Sequence, residues 1–318
     1  MVKSVRLGNR ATIGKSGGGK KTLCHLFDRQ QPIASMTVIP FTALACPLDG
    51  APLERQGGAW RCASGHSFDI ASQGYVNLLP VQQKRSLDPG DSKAMVVARQ
   101  RYLEAGHYQP IAAMLARATL AGESPDASLS CLDAGCGEGY YLRQLAAVGG
   151  AGQTLAVLGL DISKWAVQSA AKQDKRPAWV VGSNARLPVP NGTLDRVLCL
   201  FGFPVYSEFA RVLKPGGRLL QIDAGPDHLR ELRAIIYPTL KPERPADTCD
   251  PAGFIRLAAE TLRYPIELTS AVLIADLLTM TPHLYRATPE GRARAAALTE
   301  LSLTVDVRLV SWERCAAS

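Results

Sequence analysis

No run of this 318-residue sequence approaches the ~18 consecutive apolar residues that a membrane helix needs. A charged start followed by a short apolar stretch and a small-residue cleavage site is also missing, so a cytoplasmic protein that meets no membrane is expected. Eight cysteines over this length are too sparse for a disulfide scaffold, which leaves free thiols or a metal site. A strong basic field over the body is lacking as well. The net charge is +8, but residues 1–35 hold seven Lys/Arg against one acid, and the remainder holds 29 basic against 27 acidic residues. Any RNA contact by the body must then come from local patches. The stretch GKSGGGKKT (Gly14–Thr22) hints at a phosphate loop, but Lys21 stands where Ser or Thr should bind magnesium. Residues 1–35 read as a disordered basic extension, with Met36 as an alternative start of translation. A dinucleotide fingerprint, G-x-G-x-x-G, is absent too.

What stands in its place is LSCLDAGCGEGYY, Leu129–Tyr141. An apolar run ends in Asp133, and glycines follow at 135, 137 and 139. A strand that runs through such a turn into a helix can hold a nucleotide at the helix N-terminus, where backbone N–H groups are exposed. The pattern D-x-G-x-G-x-G resembles motif I of the class I S-adenosylmethionine (SAM) methyltransferases. That resemblance implies an α/β, Rossmann-like fold with a mostly parallel seven-stranded sheet over residues 128–318. It also implies SAM held by Asp133, Gly135, Gly137, Glu138 and Gly139.

The rest of this region alternates strand and helix, as a parallel sheet requires. Thr154–Leu160 reads as a strand ending at Asp161, where an acid suits two ribose hydroxyls. Trp179–Gly182 is the next strand, and the resemblance to SAM enzymes implies that Ser183 and Asn184 in its exit loop contact adenine, simple loop polarity being the other reading. Leu194–Phe201 and Arg218–Asp223 are the fourth and fifth strands. No Asn/Asp-Pro-Pro-aromatic motif follows the fourth, which disfavours an exocyclic amine and fits ring-nitrogen chemistry. Further on, a strand is expected at Leu262–Leu268, helices at Ala271–Met280 and Pro289–Leu301, and a last strand at Leu303–Leu309.

Upstream, Cys46, Asp49, Cys62 and His66 lie on two turns, with two, twelve and three residues between successive members. This is the spacing of a structural zinc knuckle, although a carboxylate is an unusual fourth ligand. A metal-free β-hairpin packed by Leu48, Trp60 and Phe68 is the other reading. Asp88–Ser92 forms a capped turn that leads into an amphipathic helix over Lys93–Ala105, with Gly106 after it.

The segments GYVNLLP (Gly74–Pro80), VQQKRSLDPGDS (Val81–Ser92) and AGHYQP (Ala105–Pro110), followed by LDAGCGEGYY, together resemble the RlmA family. These enzymes methylate N1 of a guanine in 23S ribosomal RNA. The resemblance runs from about Cys46 to the C-terminus. It divides the chain into the extension 1–35, a zinc-knuckle-like RNA-recognition domain 36–85, a helical linker 86–127 and the methyltransferase domain. It implies cofactor contacts from Tyr108 and His228, Zn²⁺ on the four knuckle residues with Asp49 as a departure, and a homodimer. Lys84, Arg85, Arg99 and Arg101 are candidate RNA contacts. Phe201, Phe203 and Tyr206, after the fourth strand, are candidates for stacking a splayed-out guanine. No general base is identifiable, with His228 and Asp223 as the candidates. A SAM methyltransferase of a small molecule or of another RNA, and an RNA-binding protein without activity, are the alternatives.

Overall fold

The computed structural model describes residues 36–83, 86–150, 152–240 and 249–316. The basic extension, Lys84 and Arg85 therefore lie outside the described residues. The first strands are β1 (Thr37–Pro40), β2 (Glu54–Gln56), β3 (Ala59–Arg61), β4 (Ser67–Asp69) and β5 (Tyr75–Asn77). Helices α1 (Lys93–Glu104) and α2 (Gln109–Leu120) follow. The alternating region comprises β6 (Ser128–Ala134), α3 (Tyr140–Val148), β7 (Thr154–Asp161), α4 (Lys164–Gln173), β8 (Ala178–Val181), β9 (Leu194–Leu200), α5 (Tyr206–Val212) and β10 (Leu213–Ala224). It continues through α6 (Arg230–Ile236), β11 (Phe254–Leu268), α7 (Ala271–Met280), α8 (His283–Arg286), α9 (Pro289–Ala296) and β12 (Leu301–Arg314).

Seven strands form the expected sheet in the order β11-β12-β10-β9-β6-β7-β8, parallel except where β12 runs against both β10 and β11. The central strands are apolar on both faces because both faces are covered. Leu132, Leu158 and Val197 pack on one side, and Cys131, Val157 and Leu198 on the other. The N-terminal segment adds two strands. β5 pairs with β8 at the sheet edge, and β1 pairs with Thr154–Val157 of β7, below the stretch of β7 that β8 covers. Residues 36–77 thus take part in the main sheet. The small antiparallel sheet β2-β3-β4 packs Leu53, Trp60 and Cys62 into the same apolar cluster as Leu132 and Val197.

Local sequence explains the starts of several helices. Ser92 and Ser163 accept from the N–H groups of Met95 and Ala166, each at 3.3 Å, and so cap α1 and α4. Gly139 precedes α3 at φ +83°, where a Cβ would lie 2.5 Å from the Trp179 ring. Several elements differ in extent from expectation: β10 starts at Leu213 and β12 spans Leu301–Arg314, both longer than the sequence suggests. β11 begins at Phe254 rather than Leu262, because its exposed Arg/Ala/Glu half has no strand period of its own and is recruited by pairing with β12. α9 stops at Ala296, its final carbonyls taken by the N–H of Ala297.

Candidate functional site

The carboxyl ends of β6, β7, β8, β9 and β10 open into one cavity of about 1320 Å³. Single small ligands usually occupy roughly 300–1,000 Å³, so a cofactor and a nucleobase fit together. Its floor is the glycine turn. Gly135, Gly137 and Gly139 all have positive φ, which lets the chain fold back under Asp133 and start α3. Asp161 accepts from the N–H of Gly137 at 2.9 Å and of Ser163 at 2.8 Å, and so ties the ends of β6 and β7 together.

Three acids stand in or under this floor, Asp133 and Glu138 buried and Asp161 half-buried. Asp133 is 1% exposed and neither carboxylate oxygen has a hydrogen-bond partner. Burial, with Asp161 and Glu138 nearby, pushes its carboxyl up to about 8. Glu138 accepts from the N–H of Tyr140 at 2.9 Å through Oε2, while Oε1 forms no hydrogen bond and lies 3.6 Å from Arg143. Its carboxyl and that of Asp161 are also raised by burial. Orphaned buried oxygens cost free energy until a donor or a cation meets them. The unpartnered Glu138 oxygen fits a cationic amine, and those of Asp161 lie where ribose hydroxyls can share them; Asp133 itself is not among the residues that line the cavity. Asn184 donates to the Ala134 carbonyl at 3.3 Å and keeps Oδ1 unpartnered, ready for the exocyclic amine of adenine. Ser183 lines the same wall. The residues present therefore fit SAM.

Opposite the floor, Tyr108, Phe201 and His228 form an aromatic group. Phe201 stacks on His228 with ring centroids 5.8 Å apart, and Tyr108 lies 6.1 Å from Phe201. Two non-glycine residues among those described have left-handed backbone, Phe201 (φ 52°) and Leu229 (φ 53°), and both border this cavity. Such strain, about 1–3 kcal/mol per residue, is held where a side chain must be aimed. The backbone N–H of Asp306 donates to His228 Nδ1 at 3.3 Å, so Nε2 carries the ring proton of the neutral imidazole. Nε2–H then donates to the Tyr108 oxygen at 3.1 Å. Burial brings His228 down to about 4 and keeps it neutral.

The expected stacking residues divide between two places. Phe203, 88% exposed, and Phe201 stand at the cavity mouth. Tyr206 lies instead in a neighbouring cleft, donating to Gln221 Oε1 at 3.0 Å. The arginines of α1 also differ from expectation. Arg99 pairs with Asp91 and donates to the Met280 carbonyl at 2.9 Å, while Arg101 pairs with Asp276. Both hold α7 against α1, so neither is an unpaired cation. This clamp brings Met280–His283 into the cavity wall. The loop before α1 closes another side, with Ser163 Oγ donating to the Asp91 carbonyl at 2.6 Å and Trp165 Nε1 to Asp88 at 2.6 Å. Sequence spacing carries no signal for these long-range contacts beyond the capped Asp88–Ser92 turn.

The second site is the knuckle. His66 Nδ1 lies 3.4 Å from Cys46 Sγ, 3.2 Å from Cys62 Sγ and 3.2 Å from Asp49 Oδ2, and Cys62 Sγ lies 3.7 Å from Asp49 Oδ2. Zinc bonds of about 2.0–2.3 Å make the edges of a tetrahedron roughly 3.3–3.8 Å. The donor set therefore fits zinc in size and chemistry. Asp49 Oδ1 is fixed by the Ala51 N–H at 3.0 Å, which turns Oδ2 toward the other ligands. Leu48 is 46% exposed and does not pack the knuckle; Trp60 does.

Comparison with known proteins agrees with both sites. Residues 44–87 match the model of the RlmA N-terminal zinc ribbon, and residues 132–221 match that of a methyltransferase domain. A Micromonospora griseorubida protein with the provisional name 23S rRNA (guanine-N(1)-)-methyltransferase is 36% identical, covering 85% of this chain and 96% of its own. A Bacillus subtilis protein with the same provisional name is 31% identical over 86% of this chain and 97% of its own. The 23S rRNA (guanine(748)-N(1))-methyltransferase of Streptomyces fradiae is 36% identical over 59% of this chain and 66% of its own. With ribbon, glycine turn and almost the full length of two relatives matched in one order, the chain belongs to the family of 23S rRNA (guanine-N(1)-)-methyltransferases.

Proposed function

We propose that this protein transfers a methyl group from SAM to N1 of a guanine in a hairpin loop of 23S rRNA. The observation that carries this reading is the match to relatives so named along nearly their whole length, ribbon included. A small-molecule methyltransferase would share the pocket but has no use for the ribbon. The sulfonium of bound SAM supplies an activated methyl carbon: the N1–C bond forms as the S–C bond breaks, and the electron pair of the latter stays on sulfur.

The chain's own task is positioning. Asp133 and Glu138 take the methionyl amine, the N–H groups of the glycine turn line its approach, Asp161 takes the ribose, and Ser183 and Asn184 take the adenine. Tyr108 and His228 border the reacting end. Phe201 and Phe203 stack the extruded guanine, an interaction worth roughly 1–3 kcal/mol per base. Residues 36–85 serve RNA recognition, joined through 86–127 to the catalytic region 128–318. The same reading carries cytoplasmic residence and a homodimer, which light scattering of the purified protein would check. Among the described residues no helix is long and apolar enough to cross a membrane.

The decisive measurement is nucleoside mass spectrometry with primer-extension mapping of ribosomal RNA from cells with and without the gene. One N1-methylguanine should vanish from 23S rRNA on deletion; an unchanged modification pattern overturns the reading.

A further inference from the structure

We infer that Asp223 is the general base that takes the N1 proton of the target guanine, aimed by Gln221 and Tyr206. The inference rests on the functional reading above and goes beyond it by naming the group that makes N1 nucleophilic.

The strand register places Asp223 beside the stacking platform. β9 and β10 are parallel neighbours whose last pair is Leu200–Ile222, and the Phe201 N–H donates to the Ile222 carbonyl at 2.8 Å. Phe201 and Asp223 therefore leave adjacent strands at the same level. A base lying on Phe201 has its edge within reach of this carboxylate. Asp223 also lines both the cofactor cavity and the adjoining cleft of about 1170 Å³.

The carboxylate is held from one side only. Gln221, two residues earlier on the same face of β10, donates from Nε2 to Asp223 Oδ2 at 2.6 Å. Its other amide atom, Oε1, accepts from Tyr206 at 3.0 Å, which prevents the amide from turning over. Among the described residues Oδ1 accepts no hydrogen bond. Burial raises the carboxyl, while Arg308, directly opposite on β12, opposes that rise. Asp227, Asp306 and Arg256 line the adjoining cleft, and the Cys199 thiol approaches from β9.

Other titratable groups of the cavity are committed elsewhere, His283 among them through Nδ1, which lies 2.8 Å from the Tyr237 hydroxyl. His228 has no lone pair to spare, since Nδ1 accepts from Asp306 and Nε2 carries the proton given to Tyr108. Both oxygens of Asp161 are bound to backbone N–H groups, and Asp91 is paired with Arg99. Asp133 and Glu138 lie in the glycine turn. The step itself balances simply. The N1–H bond breaks, its electron pair stays on N1, and the proton passes to Asp223 Oδ1. It later leaves to water through the adjoining cleft.

The test uses full-length protein, SAM and 23S rRNA from a strain lacking the gene, with N1-methylguanine read by mass spectrometry in single turnovers across pH. D223N should transfer methyl about 10²-fold or more slowly, with calorimetric affinity for S-adenosylhomocysteine unchanged. The wild-type rate should rise with pH to a plateau as the carboxylate ionises. D223N should lack that inflection and keep climbing as guanine N1 ionises unaided, and D223E should recover part of the rate. A D223N rate or pH profile equal to wild type overturns the inference. So does loss of S-adenosylhomocysteine binding, which would assign Asp223 to the cofactor. Failure of the wild-type protein to form N1-methylguanine overturns the functional reading, and this assignment with it.

Discussion

The knuckle and the glycine turn both gather groups that dislike one another's company, and they resolve the conflict differently. At the knuckle, two thiols, an imidazole and a carboxylate lie within 4.8 Å of one another at a partly exposed corner. Cys46 and Cys62 are buried in the apolar cluster that β2, β3 and β4 pack against, and a bound zinc ion would add to the stability of that corner. At the glycine turn, Asp133 and Asp161 end two paired strands and Glu138 lies in the turn between β6 and α3, so the sheet holds them whether or not a ligand is present. There the ligand contributes to function.

The largest effect that separates the two should come from zinc removal. Apparent binding free energies of about 10–16 kcal/mol in small zinc modules mean that chelation should strip amide-exchange protection from β2–β4. Protection of β6 and β9 should survive, and calorimetric SAM binding with it. Equal loss in both regions would break the comparison. Asp49→Cys sharpens it: a third thiolate should slow zinc transfer to a chelator without altering SAM affinity.

Next in size is Gly139→Ala. Its Cβ must sit at φ +83° and 2.5 Å from the Trp179 ring, at a cost of about 1–3 kcal/mol from each source. A lower melting temperature and weaker SAM binding are expected, with zinc content unchanged by metal analysis.

A third measurement addresses Asp133. Its carboxyl is raised to about 8, so at neutral pH the free protein holds it mostly protonated. A cationic amine favours the ionised form and lowers that value, so binding must expel a proton. SAM affinity should therefore rise with pH through neutrality and level off above about 8. Calorimetry in buffers of different ionisation enthalpy should detect the released proton, and Asp133→Asn should abolish it.

The smallest effect is expected at the mouth. Phe203→Ala should weaken binding of the target RNA hairpin by up to roughly 1–3 kcal/mol, with SAM affinity untouched. An unchanged RNA affinity would remove Phe203 from the platform.

Legibility followed the range of the contacts involved. The glycine turn, the acid at the end of β7 and the knuckle spacing are local patterns, and the structure brings Gly135, Gly137, Glu138, Asp161, Ser183 and Asn184 to one cavity, with Asp133 behind its lining. Tyr206 could not be separated from Phe201 in advance, because the chain turns between them and the partner of Tyr206 is on another strand. Arg99 and Arg101 read as candidate RNA contacts, since their partners lie about 175 residues away or, for Asp91, in the preceding loop. The strand role of β1 and β5 was hidden for the same reason. Four- and three-residue strands have almost no period of their own and are created by the edge they join.

By itself the sequence determined the cofactor class, the alternation of strand and helix and the family, because backbone-driven features such as a glycine turn or a ligand spacing are written in adjacent residues. The tertiary structure alone decided which proton His228 carries, where the arginines of α1 are spent, and which carboxylate stands beside Phe201. Each depends on a partner that only sheet register or helix packing supplies, and no spacing along the chain encodes it.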